Sequence, residues 1–248
     1  MLRIHFTSDD LSRIHVAPGP DALWELLLSL YRLRRPEGKD VFGPWKRAIR
    51  PRVPASARLL TDLIPPAGYA PDFLTPATQT GTLDAGLEAL RSTPSTRLAA
   101  DLSELAARHP RRPTPGWTRA LAAGRPEIVG QIAGTAATYF TTCLDPYWPR
   151  IHELIDRDRA QLNRQITDGI DHNFLTAVHP SARWSFPVLE MDYPDDHDIA
   201  LDGRGLVLQP SYFCWGTPIT LLDPTLPPVL VYPINHKTPL AVSQNNPA

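Results

Sequence analysis

The chain has 248 residues, 25 Lys and Arg against 26 Asp and Glu, and a formal net charge of -1. This balance carries no polyanion-binding signature across the whole chain, and two cysteines cannot build a disulfide framework. With 42% hydrophobic and 21% charged residues the composition is that of a globular protein, but 28 prolines against 14 glycines imply short, stiffly joined elements.

Leu2, Ile4 and Phe6 alternate with polar neighbours and predict a short half-buried strand. Leu23, Leu26, Leu27, Leu30 and Leu33 recur at helical spacing behind Pro20 and Asp21, which suit a helix start. Residues 32–58 are locally basic, with a net charge of +7. Within them Arg47, Arg50 and Arg52 are candidate phosphate contacts, interleaved with Phe42 and Trp45. The competing reading is a solvated or internally paired face, for which the acidic stretch 192–202 is the obvious partner. Residues 65–82 read as an extended loop, and helices are predicted over 83–92, 96–108, 115–123 and 126–142. From Asp145 to His179 one helix of roughly eight turns is expected, with Ile151, Leu154, Ile155, Leu162, Ile166, Ile170 and Phe174 on its apolar face.

The pattern then turns to β. "RWSFPVLEMDY", "DIALDG", "GLVLQPSYFCW", "ITLL" and "VLVYPI" are separated by turn signals and connections too short for crossover helices. The expected fold is α+β: a mainly helical part with a short N-terminal strand over 1–182, and an antiparallel β meander over 183–234 packed on it as one structural domain. A polar tail over 235–248 completes the chain. There is no apolar leader and no run of about 20 apolar residues, so the expectation is a cytoplasmic protein without membrane contact.

Four patterns invite chemistry. His152, Glu153 and Asp156 in "HELID" approach the H-E-x-x-H zinc motif, with Asp in place of the second His, and Asp168 with His172 repeats the i,i+4 pairing. "DYPDDHDIALD" gathers Asp192, Asp195, Asp196, Asp198 and Asp202 around His197, but without EF-hand spacing. Cys214 could be a nucleophile given a base such as His179 or His236, or a small buried hydrophobe. Ordinary polar faces and turns are the preferred explanation of the first two, so no metal or cofactor is assigned and the chain is expected not to be an enzyme. The fourth pattern is aromatic. Strand alternation over 206–215 puts Leu206, Leu208, Tyr212 and Cys214 on one face, and Val207, Phe213 and Trp215 on the other. Trp184 and Phe186 offer a similar wall on an adjacent strand. Trp184, Phe186, Tyr212, Phe213, Cys214 and Trp215 are therefore the candidate ligand pocket or interface. Pro210 removes a ladder donor and predicts an edge strand or a bulge.

"LRIHFTSDDLSRIHVAPGPDALWELLLSL", "FGPW" before basic residues, "GYAPDFLTP", "LDPYWPRI" and "GRGLVLQPSYFCWGTPITLLDPTLPPVLVYPI" occur in this order. Together they resemble the N-terminal region of a group of bacterial ArsR-like winged-helix transcriptional regulators, from Leu2 to about Pro233. The resemblance implies an effector-sensing and dimerisation region, a homodimer, and a small organic effector. DNA would be bound only through a C-terminal winged helix, for which the residues after 234 leave no room. The chain is then either a truncated regulator or a stand-alone relative. The cysteine pair of metal-responsive ArsR proteins is absent, so the resemblance brings no metal site. Two alternatives stand beside it: a stand-alone small-molecule-binding or protein-interaction domain, and a metal- or cysteine-dependent enzyme.

Overall fold

The computed structural model describes residues 1–78, 81–168, 173–236 and 240. The fold is α+β, with most helices in the first part of the chain and most strands in the last. It divides into two compact units, Met1–Pro20 with Ile151–Lys237, and Asp21–Arg150 with Thr238–Ala248. This division differs from the expected boundary at 182/183: the first twenty residues belong with the late strands because β pairing is non-local.

Strand β1 (Leu2–His5) leads into a single helical turn, α1 (Ser8–Leu11), and a strand not expected from the sequence, β2 (Ile14–Val16). Thr7 and Asp10 form a capping box around α1, each side chain bonding the other residue's backbone N–H.

The helical unit follows. Helix α2 (Ala22–Arg34) starts at Asp21, whose carboxylate accepts from the backbone N–H of Leu23 and Trp24 at 2.9 and 3.0 Å. Helix α3 (Lys39–Ile49) contains Pro44 and was hidden by the charge of that segment. Helices α4 (Arg58–Leu63), α5 (Leu83–Arg91), α6 (Ser95–Arg108), α7 (Thr118–Ala122) and α8 (Pro126–Cys143) complete it. Phe42, Trp45, Ile49, Leu60, Leu63, Ile132 and Tyr139 are buried there. The Trp45 indole donates to the Cys143 carbonyl, and the Tyr139 hydroxyl meets Ser29 Oγ at 3.0 Å, so the polar ends of both large side chains are satisfied.

Helix α9 (Trp148–Asp168) is next, and residues 173–178 form a 3-10 helix, so the periodic segment does not reach His179 as one α-helix. The strands are β3 (Arg183–Ser185), β4 (Val188–Met191), β5 (His197–Ala200), β6 (Leu206–Ser211) and β7 (Val229–Pro233). Sheet order is β3-β4-β1-β5 in one sheet and β2-β6-β7 in the other.

Only part of the expected meander forms. β3 with β4 and β4 with β1 are antiparallel, whereas β1 with β5, β2 with β6 and β6 with β7 are parallel. Residues 212–228, though without a helix, are long enough to return the chain to the same end of the sheet. "ITLL" contributes one isolated bridge, Ile219 to Val231, and no strand. The core of the sheet unit joins Leu2, Ile4, Leu189, Met191 and Ile199 of one sheet to Leu206, Leu208, Leu230 and Tyr232 of the other. Leu162, Phe174, Leu175 and Val178 lie in the same cluster.

Pro210 lies on a central strand, not an edge, yet its missing N–H breaks no ladder bond. Val207 N donates to Pro228 O and Ile234 N to Ser211 O, so the odd residues of β6 bond to β7. The even residues face β2, where Ala17 N donates to Leu208 O. β2 pairs only with Leu206–Leu208, so Pro210 falls just past its end.

Candidate functional site

A cleft of about 500 Å³ opens in the sheet unit. Its lining comes from four separated stretches: Asp158, Gln161 and Leu162 of α9; residues 177–180; Trp215 and Gly216; and residues 232–236. This volume lies in the usual range for small-molecule sites.

Asp158, Tyr232, His179 and His236 in the wall are each held by a traceable bond. Asp158 accepts from the Tyr232 hydroxyl at 3.2 Å on Oδ2 and from Asn235 N at 3.3 Å on Oδ1. Burial raises its pKa above the usual carboxylate value, against the lowering effect of those two donors. Tyr232 is itself raised, by burial first and then by the neighbouring Asp158 charge. His179 Nδ1 accepts from Ser181 N at 3.2 Å, which places the ring proton on Nε2, 2.6 Å from the Gly216 carbonyl. Ser181 Oγ lies 2.8 Å from the same Nδ1 and accepts from Asp192 N at 3.0 Å. His236 donates from Nε2 to the Tyr212 carbonyl at 2.6 Å. Its ring packs against Trp215, with centroids 5.1 Å apart, and edge-on to Tyr212 at 5.2 Å. The start of the expected frayed tail is thus tied into the sheet unit by Asn235 and His236.

Of the six candidate pocket residues, only Trp215 lines the cleft, and its side chain is 36% exposed. The expected alternation stops at Ser211, where β6 ends. Ser211 Oγ accepts from Cys214 N at 3.1 Å and turns the chain, so Tyr212, Phe213 and Cys214 are all buried instead of alternating between two faces. Cys214 Sγ rests 3.7 Å from the carbonyls of Thr217 and Val231. Trp184 lies on β3 of the other sheet and Phe186 in the turn that follows it, so the expected wall on a strand adjacent to β6 does not form. Trp184 packs edge-on to Phe6 at 5.1 Å, while Phe186 is exposed in the β3–β4 turn beside a cis bond to Pro187.

The remaining candidates are placed as follows. Arg47, Arg50 and Arg52 are exposed at the end of α3 and in the next turn, but Phe42 and Trp45 are fully buried and unavailable to stack on bases. Arg34 is used internally, donating to the carbonyls of Leu30, Ile64 and Pro65. Lys46 donates to the Arg35 carbonyl. His152, Glu153 and Asp156 lie on the exposed face of α9, where Glu153 pairs with Arg157 and Asp156 with Arg159. The Asp168 side chain and His172 lie outside the described residues. In the acidic stretch, Asp198 pairs with His5 at 2.9 Å and Arg3 at 3.5 Å, and Asp196 with the terminal ammonium at 3.3 Å. The strand register dictates the Arg3 contact, because Arg3 stands opposite Asp198 on one side and Glu190 on the other. Among the described residues no three His, Cys, Asp or Glu side chains are grouped to hold a metal, and no helix is long and apolar enough to cross a membrane.

Sequence reasoning missed Asp158, His179 in its observed role, and Arg204. The Arg204 guanidinium donates to the carbonyls of Ala200, Leu201, Pro224 and Leu226 and fixes the turn before β6 to the loop before β7. A single arginine before Gly205 gave no hint of four acceptors drawn from two loops.

Comparison with protein-family models, with curated proteins and with solved structures returns no match.

Proposed function

We propose that this chain is a non-enzymatic small-molecule-binding region that senses an organic effector through the cleft of the sheet unit. The observation that carries this reading is the cleft itself: about 500 Å³, with Trp215 and the rings of His179 and His236 in its wall and few polar groups converging on it. The resemblance of the sequence to the N-terminal region of ArsR-like regulators supports the wider reading. In it the region dimerises in the cytoplasm of a bacterium and transmits effector binding to a DNA-binding winged helix outside this chain.

A thermal-shift screen of a metabolite panel tests the cleft. An effector at a hundredfold excess over its dissociation constant should stabilise the protein by about 2.7 kcal/mol. The shift should vanish in Trp215→Ala. A panel spanning cationic, neutral and anionic organic compounds that produces no shift would overturn the reading. Light scattering tests the dimer, and a strict monomer at high concentration counts against it.

A further inference from the structure

The wall of the cleft is electrically one-sided. Among the described residues its lining includes neither lysine nor arginine, and their formal charge is the Asp158 carboxylate. Both imidazoles point their Nε2 protons at backbone carbonyls, His179 at Gly216 and His236 at Tyr212, and the Tyr232 hydroxyl donates to Asp158. These three donors are therefore turned onto the protein, and among the described residues the carboxylate's partners are the neutral Tyr232 hydroxyl and Asn235 N–H. One neutral donor on each carboxylate oxygen leaves capacity for further hydrogen bonds, since a carboxylate offers about four lone-pair sites. Burial without a paired charge is consistent with the upward pKa shift of this group. Trp215 adds a half-exposed indole to the same wall, the aromatic surface that best attracts cations.

We propose that the cleft takes a small organic ammonium ion, with the ammonium group bonded to Asp158 and the apolar body against Trp215. This rests on the effector-binding reading of the same cleft and adds the charge class of the ligand. The ammonium supplies charge-assisted hydrogen bonds to the carboxylate, which are stronger than those from the neutral donors already present. An anionic ligand would meet the same carboxylate as a like charge and would find no side-chain cation among the described residues of the wall.

The test uses three probes of similar shape: 2-phenylethylammonium, 2-phenylethanol and phenylacetate. Each is titrated into the full chain while the Trp215 indole N–H resonance, assigned with Trp215→Phe, is followed by NMR. The ammonium should bind at least about tenfold more tightly than the alcohol, and phenylacetate most weakly. Asp158→Asn, which keeps the shape and an acceptor for Tyr232, should abolish the preference for the ammonium over the alcohol. If the alcohol or phenylacetate binds as well as the ammonium, or Asp158→Asn keeps the preference, the charge class is wrong while the cleft remains a binding site. If none of the three moves the Trp215 resonance, the proposal fails together with the cleft as a site for compounds of this size.

Discussion

Asp10 and Asp158 both hold a carboxylate away from bulk water in the sheet unit, and their surroundings treat it in opposite ways. Asp10 is fully buried and receives Thr7 N and Thr7 Oγ1 at 2.7 Å and Gly205 N at 2.8 Å. Burial pushes its pKa up, but the hydrogen bonds from Thr7, Gly205 and Gly203 outweigh this and hold it below the usual value. Asp158 receives two longer bonds at the edge of a cleft, and there burial wins. A carboxylate whose acceptor sites are filled by its own fold is a structural fastener. One left under-satisfied beside a void is where a ligand gains binding energy.

The contrast is open to direct attack, and the largest effect should come from the filled site. Asp10→Ala leaves the N–H groups of Thr7 and Gly205 without their carboxylate and should destabilise the protein by about 2–4 kcal/mol in urea unfolding. Because the folded pKa of Asp10 is lowered, its stabilising contribution is present above the unfolded carboxylate pKa and is lost as pH falls through the folded one. An Asp10→Ala penalty that did not shrink in acid would break this half of the comparison.

Asp21 offers an intermediate case in the helical unit. It caps α2 with two backbone bonds, yet burial raises its pKa to about 6. A raised acid pKa favours folding below the unfolded value near 3.8 and weakens it as pH rises through about 6. Asp21→Asn keeps a good cap and removes the charge. It should therefore gain about 1–3 kcal/mol over the parent at pH 7 and nothing at pH 3. A carboxyl-carbon NMR titration should place Asp21 about two units above an ordinary aspartate.

Smaller effects belong to the cleft. Trp215→Ala should cost roughly 1–2 kcal/mol, well under the 3–5 of a core tryptophan, while removing ligand-induced stabilisation. Asp158→Asn should change stability by less than about 1 kcal/mol at pH 7, with the sign favouring Asn, because the ionised form is the one that burial penalises. A loss as large as that of Asp10→Ala would place Asp158 among the fasteners.

Much of the helical unit was legible because Leu23, Leu26, Leu27 and Leu30 announce their helix locally. Helix α3 was not, since Gly43, Pro44 and the basic residues mask the period that buries Phe42, Trp45 and Ile49. The aromatic stretch after Leu206 stands out in the sequence, but strand alternation misorients it. Strand alternation is a rule only while the strand lasts, and the Ser211 hydroxyl ends it four residues before Trp215. Apart from Trp215, the cleft had no signature in the sequence. Asp158 sits in "RDRAQL", which reads as a solvated helix face, and its neighbours lie in three other parts of the sequence. Parallel pairing was missed for a similar reason: nothing local distinguishes a 212–228 connection that returns from one that reverses.

The sheet unit is interrupted in sequence by residues 21–150, and this has a consequence during synthesis. Leu2 on β1 must wait for its partners Met191 and His197 to be made. At about 5–20 residues per second that delay is roughly 10–40 s, during which the inserted helices can already fold. β1 therefore spends the early life of the chain as an unpaired apolar strand. Its short length, with Arg3 and His5 alternating with Leu2 and Ile4, limits what it can pair with in that interval.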